Sequence, residues 1–474
     1  MVRKYDVAII GGGVSGTALA YVLKNYTNVS KITIIEKEER LASVNSHRNM
    51  NSQTLHFGDI ETNYSLEKAA AVKRAADMVK FFILKNDLKG ESYTKYHKMV
   101  LAVGKNQASN LRERYKSFKK LFPENKLIEK AEIAKLEPKV VNGRDKGEEL
   151  LAFWSPDGYT MDYQKLSEIF VKNSPGVDLN LKKRVLEIFK DGDGYELELD
   201  SGERVKSKVV IVTCGAHSLL FAKSLGYGKD LALFCIAGSF YFVPESLNGK
   251  VYTIQNDKLP FAAIHGDPDV HEKGKTRFGP TAKAVFMLER HRYKTIFEYI
   301  RSVGFSWRTA VSFFKINSDP VISTYILKNL LYDVPFIGRR LFLKEVRKVV
   351  PLTKLSELHY AKGYGGVRPQ IVNNKTFSLD MGEAKLNGDN IIFNITPSPG
   401  ASTCLQNAED DTLKVMEFLG KGFKFDRKKF EKDLVCGPEC WSDFSKEGNK
   451  EKSEGLKKKD RKSLVSEESV LSFG

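Results

Sequence analysis

The sequence predicts an α/β fold, α+β overall, in which a Rossmann-like, doubly wound domain assembled from discontinuous segments packs against an antiparallel-sheet domain. Three features predict it. The chain starts with a strand, a glycine turn and a helix, a second apolar strand runs into a glycine at Val209–Gly215, and β-branched, aromatic and polar residues alternate from Cys235 to Phe278. The 474 residues are 42% hydrophobic and 28% charged, which is typical of soluble globular proteins.

The net charge is strongly basic, because 76 Lys and Arg stand against 59 Asp and Glu, giving +17. Such a field favours an anionic partner: nucleic acid, an acidic membrane surface or an anionic substrate. No recognition-helix pattern or aromatic ribonucleoprotein motif is present, so nucleic acid is not expected. The five scattered cysteines predict neither a disulfide framework nor a metal site, and Cys436 and Cys440 are expected to be ordinary thiols.

The first glycine turn has the spacing of a dinucleotide-binding site. The apolar strand Asp6–Ile10 leads into Gly11, Gly13 and Gly16, and an Ala/Leu-rich helix, Thr17–Leu23, follows. Gly11 permits the tight turn, and Gly13 lets the backbone approach a pyrophosphate at the helix N-terminus. Gly16 allows the helix to pack closely on the strand.

Glu36 completes this pattern. It ends a second apolar strand, Lys31–Ile35, at a distance from Gly16 where a carboxylate can bond the ribose hydroxyls of an adenosine. An acid at this position disfavours a 2′-phosphate and hence NADP. The motif by itself leaves both NAD and FAD open as the dinucleotide.

Five further segments resemble one family of flavoproteins. They are Asn51–Tyr64, Ala237–Val243, Leu259–Pro268, Gly363–Gln370 and Asn394–Asn407. Together they are similar to the D-amino-acid-oxidase-like FAD proteins and, among these, to the malate:quinone oxidoreductase family, over roughly residues 5–420. The resemblance implies that the cofactor is FAD.

The resemblance also extends the set of expected cofactor-binding residues. The backbone of Val185 is expected at the adenine, and Gly215 at the second strand-to-glycine turn. Ser402 and Thr403 are expected to cap a helix whose N-terminus faces the flavin. The full expected set is Gly11, Gly13, Gly16, Glu36, Asn51, Ser52, Val185, Gly215, Gly400, Ser402 and Thr403.

Oxidation of a hydroxy acid such as malate needs a cationic anchor for carboxylates. Arg368 is the expected anchor, because its planar guanidinium can donate two hydrogen bonds to one carboxylate. The resemblance also implies this role for the arginine of a Gly-Val-Arg segment. Gln370 follows two residues later and would face the same side of a strand, so it is expected to contact the same ligand.

The same reaction needs a base that takes the hydroxyl proton, and two histidines compete for this role. His265 ends an apolar segment directed at the ligand space and is the first choice, and Asp267 could orient it. His56 lies in the segment that the resemblance places beside the flavin. It is expected to position or polarise the flavin or the substrate.

The expected activity is oxidation of (S)-malate to oxaloacetate by hydride transfer to FAD, with the electrons passed to membrane quinone as in the tricarboxylic acid cycle. No second nucleotide motif and no Cys-x-x-Cys pair is present, which leaves quinone or oxygen as the acceptor. A related 2-hydroxy-acid oxidase, such as an L-2-hydroxyglutarate oxidase, remains open because one methylene separates the substrates. A flavin-bound but inactive homologue also remains open.

Residues 290–348 are predicted to form a basic, aromatic, helical region with twelve Lys/Arg and four Asp/Glu. Cations can meet anionic head groups while aromatic side chains enter the interface, which predicts peripheral membrane contact where quinone enters. A solvated helical face over a core is the alternative. No targeting presequence is visible, so the expected location is the cytoplasmic face of a bacterial inner membrane, with the mitochondrial inner membrane as the alternative.

The segments are expected to form two domains and a tail. The FAD-binding domain is expected to comprise residues 1–84, 151–225 and 360–420, and the substrate domain residues 85–150 and 226–359. The Lys-, Glu- and Ser-rich tail 441–474 lacks the apolar content needed to fold and is predicted to be disordered.

Overall fold

The computed structural model describes residues 2–255, 264–304, 306–380, 383–396 and 400–438. The predicted disordered tail, Cys440 and part of the segment Leu259–Pro268 lie outside the described residues. The strands are β1 (Arg3–Ile10), β2 (Ile32–Ile35), β3 (Tyr93–Val103), β4 (Lys126–Glu129), β5 (Leu150–Met161), β6 (Asp178–Asn180), β7 (Val185–Asp191), β8 (Gly194–Leu199), β9 (Arg204–Val212), β10 (Leu231–Ala237), β11 (Tyr241–Pro244), β12 (Lys250–Thr253), β13 (His265–Pro268), β14 (Lys275–Gly279), β15 (Lys283–Ala284), β16 (His359–Tyr360), β17 (Val367–Asn373), β18 (Ser378–Asp380), β19 (Ala384–Gly388) and β20 (Ile391–Thr396).

The helices begin and end as follows: α1 (Val14–Tyr26), α2 (Leu66–Asn86), α3 (Lys105–Phe118), α4 (Lys130–Leu136), α5 (Pro138–Val141), α6 (Tyr163–Lys172), α7 (Ser218–Ser224), α8 (Thr295–Val303), α9 (Trp307–Ser318), α10 (Pro320–Tyr332), α11 (Ile337–Val349), α12 (Cys404–Leu419) and α13 (Arg427–Phe430). Within the described part of the chain, none of these helices combines the length and hydropathy needed to cross a bilayer. Cys436, predicted to be an ordinary thiol, is disulfide-bonded.

The first sheet has the order β19-β20-β9-β1-β2-β6, with the β7–β8 hairpin attached to β9. Its centre is parallel, because β1 pairs in parallel with β2 and β9, and β20 pairs in parallel with β9. Val7 and Ile9 face the core that contains α1 and α12, whereas Ala8 and Ile10 face the core that contains α7. A strand covered on both faces has to be apolar at every position, which explains its continuous hydrophobic run and confirms the predicted doubly wound fold.

The second sheet, called the mixed sheet here, has the order β16-β11-β14-β13-β12-β3-β5-β4. Its pairs are antiparallel except for β12 with β3. β5 belongs to this sheet through ten paired residues of β3, although its residue numbers fall within the range expected for the FAD-binding domain. Residues 367–373 were also expected in the FAD-binding domain, but they form β17, which pairs with β10 instead of joining the first sheet. The division into two domains stays a prediction.

A third, four-stranded sheet has the order β15-β10-β17-β18 and is antiparallel. One of its faces packs on the first sheet, and the other face packs on α9 and α10. The alternating run Cys235–Phe278 is therefore divided between two sheets rather than forming one. The chain changes sheet just after Gly238, where the backbone lies so close to Gly365 that a Cβ on Gly365 would be 1.8 Å from the Gly238 carbonyl oxygen.

Candidate active site

A cleft of about 970 Å³ lies at the carboxyl ends of β1, β2 and β9, where the first sheet meets the mixed sheet and β17. Ligands of open α/β sheets bind at this edge of the strands. Thirteen of the fifteen residues predicted for the site line the cleft: Gly11, Gly13, Glu36, Asn51, Ser52, His56, Val185, Gly215, His265, Arg368, Gln370, Gly400 and Ser402. Gly16 and Thr403 do not line it.

The glycine turn has the geometry that its sequence predicts. Gly11 adopts a left-handed φ of +109°, and a Cβ on Gly16 would lie 2.1 Å from the Gly11 carbonyl oxygen, so Gly16 packs against the turn instead of facing the cleft. Helix α1 begins at Val14; Gly13 has no side chain to cap it, and the Val14 amide donates to the Ser46 hydroxyl at 3.1 Å. A helix N-terminus on a glycine turn fits the pyrophosphate of a dinucleotide.

Glu36 has two neighbours that sequence reasoning did not foresee. Its Oε2 accepts a hydrogen bond of 2.6 Å from the Gly12 amide, and its Oε1 accepts one of 2.9 Å from the Glu38 amide. Burial raises the pKa of Glu36, although these two amides oppose the rise. Glu36 therefore fixes the glycine turn as well as lining the cleft where a ribose would lie.

The segment after β2 folds back along the cleft and is held by its own side chains. Asn51 donates to the carbonyls of Asn45 and His47 at 3.2 and 2.9 Å, and its Oδ1 accepts from the Gln53 amide. The buried Arg277 donates to the Ser52 carbonyl at 2.9 Å. The side chain of Asn51 is thus used to shape the loop, and only its remaining surface faces the cleft.

Ser402 and Thr403 differ from the predicted pair of helix caps. Thr403 is the N-cap residue of α12, but its side chain makes no capping hydrogen bond. The Ser402 hydroxyl instead accepts a 2.9 Å hydrogen bond from the His56 amide and lies 3.4 Å from the Thr54 carbonyl oxygen. The prediction of a capping role was wrong, because the loop that carries His56 takes the Ser402 hydroxyl away from the helix.

The side chain of His56 forms a hydrogen bond with Glu61. Glu61 was not among the residues predicted for the site. The imidazole Nδ1 is in hydrogen-bond contact with Glu61 Oε1, and both side chains line the cleft. Burial raises the pKa of Glu61, but His56 and then Lys98 lower it, and the net pKa lies below its usual value. A carboxylate on Nδ1 fixes the tautomer and orientation of an imidazole and leaves Nε2 for a ligand.

His265 lies deeper. It is 1% exposed, and its ring stacks on Tyr252 with centroids 4.5 Å apart. Its Nε2 lies 3.8 Å from Asp267 Oδ1, beyond hydrogen-bond distance, because Asp267 Oδ2 is engaged by Lys250 at 3.0 Å and by Arg277 at 3.2 Å. The predicted orientation of His265 by Asp267 is therefore at most a long-range contact.

Arg368 and Gln370 lie on β17, which pairs with β10. Among the described residues, the Arg368 guanidinium has no hydrogen bond and no ion pair. Burial lowers its pKa, yet an arginine remains charged in a protein. Within the described part of the chain, the Gln370 amide donates only to the neighbouring Pro369 carbonyl oxygen.

A polar cluster at the other end of the cleft was also missed by sequence reasoning. Glu298 of α8 contacts Arg184 and accepts from His217 Nε2 at 2.9 Å. The His217 contact, opposed by burial and assisted by Arg184, lowers the pKa of Glu298 to about 2. These residues lie beside Val185, where the adenine is expected. No group of three or more His, Cys, Asp or Glu that could hold a metal ion was found in the described ranges.

The comparisons with known proteins agree with this geometry. The family described as "DAO: FAD dependent oxidoreductase" matches residues 6–404. A probable malate:quinone oxidoreductase of Helicobacter acinonychis (strain Sheeba) is 42% identical over 445 residues, covering 92% of this chain and 98% of its own. The mitochondrial L-2-hydroxyglutarate dehydrogenase of Homo sapiens is 24% identical, covering 85% and 86%.

The fold has solved neighbours. The L-alpha-glycerophosphate oxidase of Mycoplasma pneumoniae, solved with FAD bound, superposes with a TM-score of 0.61 at 18% identity, covering 90% of this chain and 97% of that one. The cofactor of this chain is FAD. The cleft offers the glycine turn, the acid on the ribose side and the N-terminus of helix α1, which together suit this dinucleotide. The extent and level of identity show that the chain belongs to the malate:quinone oxidoreductase family of FAD-dependent oxidoreductases.

Proposed function

We propose that this protein oxidises (S)-malate to oxaloacetate at FAD and passes the two electrons to a membrane quinone. Two relatives that are 42% and 41% identical to this chain are named as malate:quinone oxidoreductases, the first as a probable one. The observation in the structure that carries the proposal is the Arg368 guanidinium, a cation in the cleft without an acidic partner among the described residues.

An unpaired buried cation is expensive, since the effective desolvation penalty of an ion in a protein is several kcal/mol. A fold retains such a group when a ligand completes it. A carboxylate matches the fork of the guanidinium with two charge-assisted hydrogen bonds. Arg368 would therefore hold one malate carboxylate, and Gln370, on the same face of β17, would contact the same ligand.

The geometry supports His56 as the group that receives the C2 hydroxyl proton. Its Nδ1 is engaged by Glu61, so Nε2 is available, and the side chain lines the cleft. As the proton arrives on Nε2, the Glu61 carboxylate would stabilise the imidazolium. His265, the first choice from the sequence, remains a prediction, but its near-complete burial and its stacking on Tyr252 fit a group that shapes the pocket.

FAD, when bound, accepts the hydride of malate C2. The residues of this chain supply everything around that transfer. Arg368 holds the substrate, His56 with Glu61 takes the proton, and Ser402 fixes the backbone of His56 by accepting its amide hydrogen. The stacked Tyr252 and His265 wall the pocket on the side of the mixed sheet.

A second substrate, L-2-hydroxyglutarate, is the nearest competitor, since the human relative acts on it by name. It is one methylene longer than malate, and a methylene in a pocket changes transition-state binding by about 1–3 kcal/mol. The 42% identity to a malate:quinone oxidoreductase, against 24% to the dehydrogenase, favours malate.

The test is anaerobic bleaching of the bound flavin by each substrate. Malate should bleach the visible absorption of the holoenzyme with a kcat/KM at least tenfold above that of L-2-hydroxyglutarate, lactate or glycerol 3-phosphate. Faster bleaching by L-2-hydroxyglutarate would replace malate as the substrate. No bleaching by any of the four would favour an inactive homologue.

Peripheral membrane contact is part of the proposal and rests on α8–α11. These helices expose large apolar side chains that a solvated face would not need: Phe297, Trp307, Phe314, Leu327, Leu330 and Phe336. Trp307 is 81% exposed and Phe336 is 84% exposed. Arg301, Arg308, Arg340 and Lys344 are exposed on the same helices. An apolar face bordered by cations suits an anionic bilayer surface.

A further inference from the structure

We propose that a second cavity, formed between Lys283–Tyr293 and the α10–α11 connection, is the site where quinone is reduced. This rests on the proposed function, because it supplies the place for that function's electron acceptor. The cavity measures about 760 Å³ and contains none of the residues that line the first cleft. Malate and quinone would then bind at different sites.

The walls of the second cavity are aromatic. The buried Tyr241 and Tyr332 line it together with the exposed Tyr360, and Tyr241 is edge-on to Tyr360 with ring centroids 5.4 Å apart. Flat, apolar rings of this kind stack on other rings, and a benzoquinone or naphthoquinone head is a flat ring. The cavity therefore offers the shape and polarity that a quinone head requires.

The mouth of the cavity opens at the exposed apolar surface of α8–α11. Phe286, Tyr293 and Phe336 line it and are all more than 60% exposed. Phe336 has a φ of +62°, a conformation that is strained for an aromatic residue and is kept only where the surroundings impose it. A lipid-soluble quinone whose tail stays in the bilayer would enter through such an apolar mouth.

The polar groups in the cavity match the two oxygens of a quinone. Arg339 has no hydrogen bond or ion pair with any described residue, so its guanidinium can donate to a quinone carbonyl. Asp333 accepts from the Ser239 hydroxyl at 3.1 Å and pairs with Lys283, but its buried Oδ1 has no hydrogen-bond partner among the described residues. A small rotation of this carboxylate would let it accept from a quinol hydroxyl.

The second cavity is separated from the flavin cleft by only a short stretch of main chain. Arg290 and Tyr360, which line the cavity, each donate to the Ser239 hydroxyl at 3.2 Å. The neighbouring Gly238 donates to the Gly366 carbonyl oxygen at 3.4 Å. The next residue, Val367, donates to Asn45 Oδ1, and both of these residues line the cleft. Hydrogen bonds and covalent bonds thus connect the two sites.

The step balances without another reactant. Quinone gains two electrons from the reduced cofactor and two protons from water, and it leaves as quinol, which restores the oxidised cofactor. His291 and His359 line the cavity at its exposed side and can pass the protons. Burial, followed by the charges of Arg290 and Lys283, lowers the pKa of His291, so this imidazole is neutral at neutral pH and can both accept and donate.

An anionic lipid head group is the other ligand that three cations could attract. Lys283 and Arg290 are already paired with Asp333, which leaves Arg339 as the cation without a partner among the described residues. The Asp333 carboxylate would also repel a phosphate, whereas it helps a quinol. The aromatic walls and this buried acid favour quinone.

The experiment separates the two halves of the reaction in the holoenzyme, using decylubiquinone as the probe. The first variant, Arg339→Met, removes the donor, and the second, Val334→Trp, places bulk at the mouth, where Val334 lines the cavity and is partly exposed. Arg347→Met is the matched control, because Arg347 is an exposed arginine further along α11 that does not line the cavity. Each protein is first reduced anaerobically and then mixed with the quinone.

Both cavity variants should bleach with malate within twofold of the wild-type rate, and their reoxidation by decylubiquinone should slow at least tenfold. The control should change neither rate. Reoxidation is measured with and without vesicles of anionic lipid. Unchanged reoxidation in both cavity variants would overturn the proposal. A slower reoxidation that is seen only when the vesicles are present would overturn it as well. Reduction by dithionite replaces malate if malate does not bleach the enzyme, so failure of the proposed function leaves this test intact.

Discussion

The cations of the mixed sheet differ from Arg368 in one respect, namely whether an acidic side chain pairs with them. In the mixed sheet, Lys98 pairs with Asp59 at 2.8 Å, Lys250 pairs with Asp267 at 3.0 Å, and Arg277 pairs with Asp267 at 3.2 Å. In the four-stranded sheet, Arg368 has no acidic partner among the described residues.

The difference separates structure from function. A paired buried cation is satisfied within the protein, and removing one partner leaves an uncompensated charge, so it supports the fold. An unpaired cation in a cleft is completed only by a ligand. Substitution of Arg277 should therefore lower the stability of the fold, whereas substitution of Arg368 should lower substrate turnover.

The largest effect is expected at Arg368. Arg368→Ala should lower kcat/KM for malate by about a thousandfold, because a charge-assisted bidentate contact is lost from a desolvated site. The flavin spectrum and the melting temperature should stay near those of the wild type. Steady-state dye reduction and absorbance spectra measure both. Turnover within tenfold of wild type would remove Arg368 from the site.

Arg277→Ala should act on stability. It leaves the buried Asp269 without its cation and Asp267 with Lys250 alone, and this should lower the free energy of unfolding by about 3–5 kcal/mol. Arg204→Ala is the control, since Arg204 is half exposed and its ion pairs lie on the surface, where a change of less than about 1 kcal/mol is expected. Urea unfolding followed by fluorescence compares the two. Equal losses would contradict the contrast.

Glu61→Gln tests the pair with His56. It should lower kcat for malate by about 10–100-fold with little change in KM, because Glu61 acts through His56 and does not touch the substrate. Glu61→Asp keeps the carboxylate and should recover part of the loss. A purely structural role would instead lower the melting temperature of both variants equally and leave the kcat of the folded fraction unchanged.

The exposed apolar side chains of α8–α11 and of their connections should affect membrane binding. A triple variant, Phe297→Ser with Trp307→Ser and Phe336→Ser, should reduce partitioning to anionic vesicles by at least about tenfold without loss of stability. Leu88→Ser removes an apolar residue that is 65% exposed elsewhere on the surface and should leave partitioning unchanged. Vesicle co-sedimentation is the measurement. Equal sedimentation of all three proteins would rule out this surface.

The smallest effect concerns Glu298, whose pKa of about 2 lies below the usual 4.5. A carboxyl with a depressed pKa stabilises the fold above its unfolded pKa, and this contribution is lost as the pH falls towards 2. The wild type should exceed Glu298→Gln by about 1 kcal/mol at pH 7, after allowance for solvent screening, and the gap should narrow below pH 4.5. A gap that is constant from pH 7 to pH 3 would contradict it.

The sequence predicted most where the determinants are local. Strand β1, the glycine turn and helix α1 are adjacent in the chain, and their spacing gives both their structure and their ligand class. Helices α8–α11 also lie where the sequence predicts a helical region. Sheet membership is not local, so the sequence alone did not place β5 beside β3 or separate β10 from β11.

Site residues follow the same division. Arg368 and His56 were predicted from motif context, and both line the cleft. Glu61 was missed because its role depends on a turn that returns its carboxylate to an imidazole five residues earlier, and an isolated acid in a loop carries no periodic signal. Ser402 was assigned to the helix because a hydroxyl before a helix usually caps it, and only the fold shows that the His56 amide competes for it.

The pairing of β20 with β9 has a consequence for biosynthesis. The first glycine turn follows β1, yet β20, which lies between β19 and β9, and the helix α12, which packs on α1, are encoded close to residue 400. The chain from β1 to α12 must therefore be translated before the nucleotide frame can close. A nascent chain halted before α12 would expose the apolar side of α1. Such a chain would bind chaperones and would not yet bind FAD.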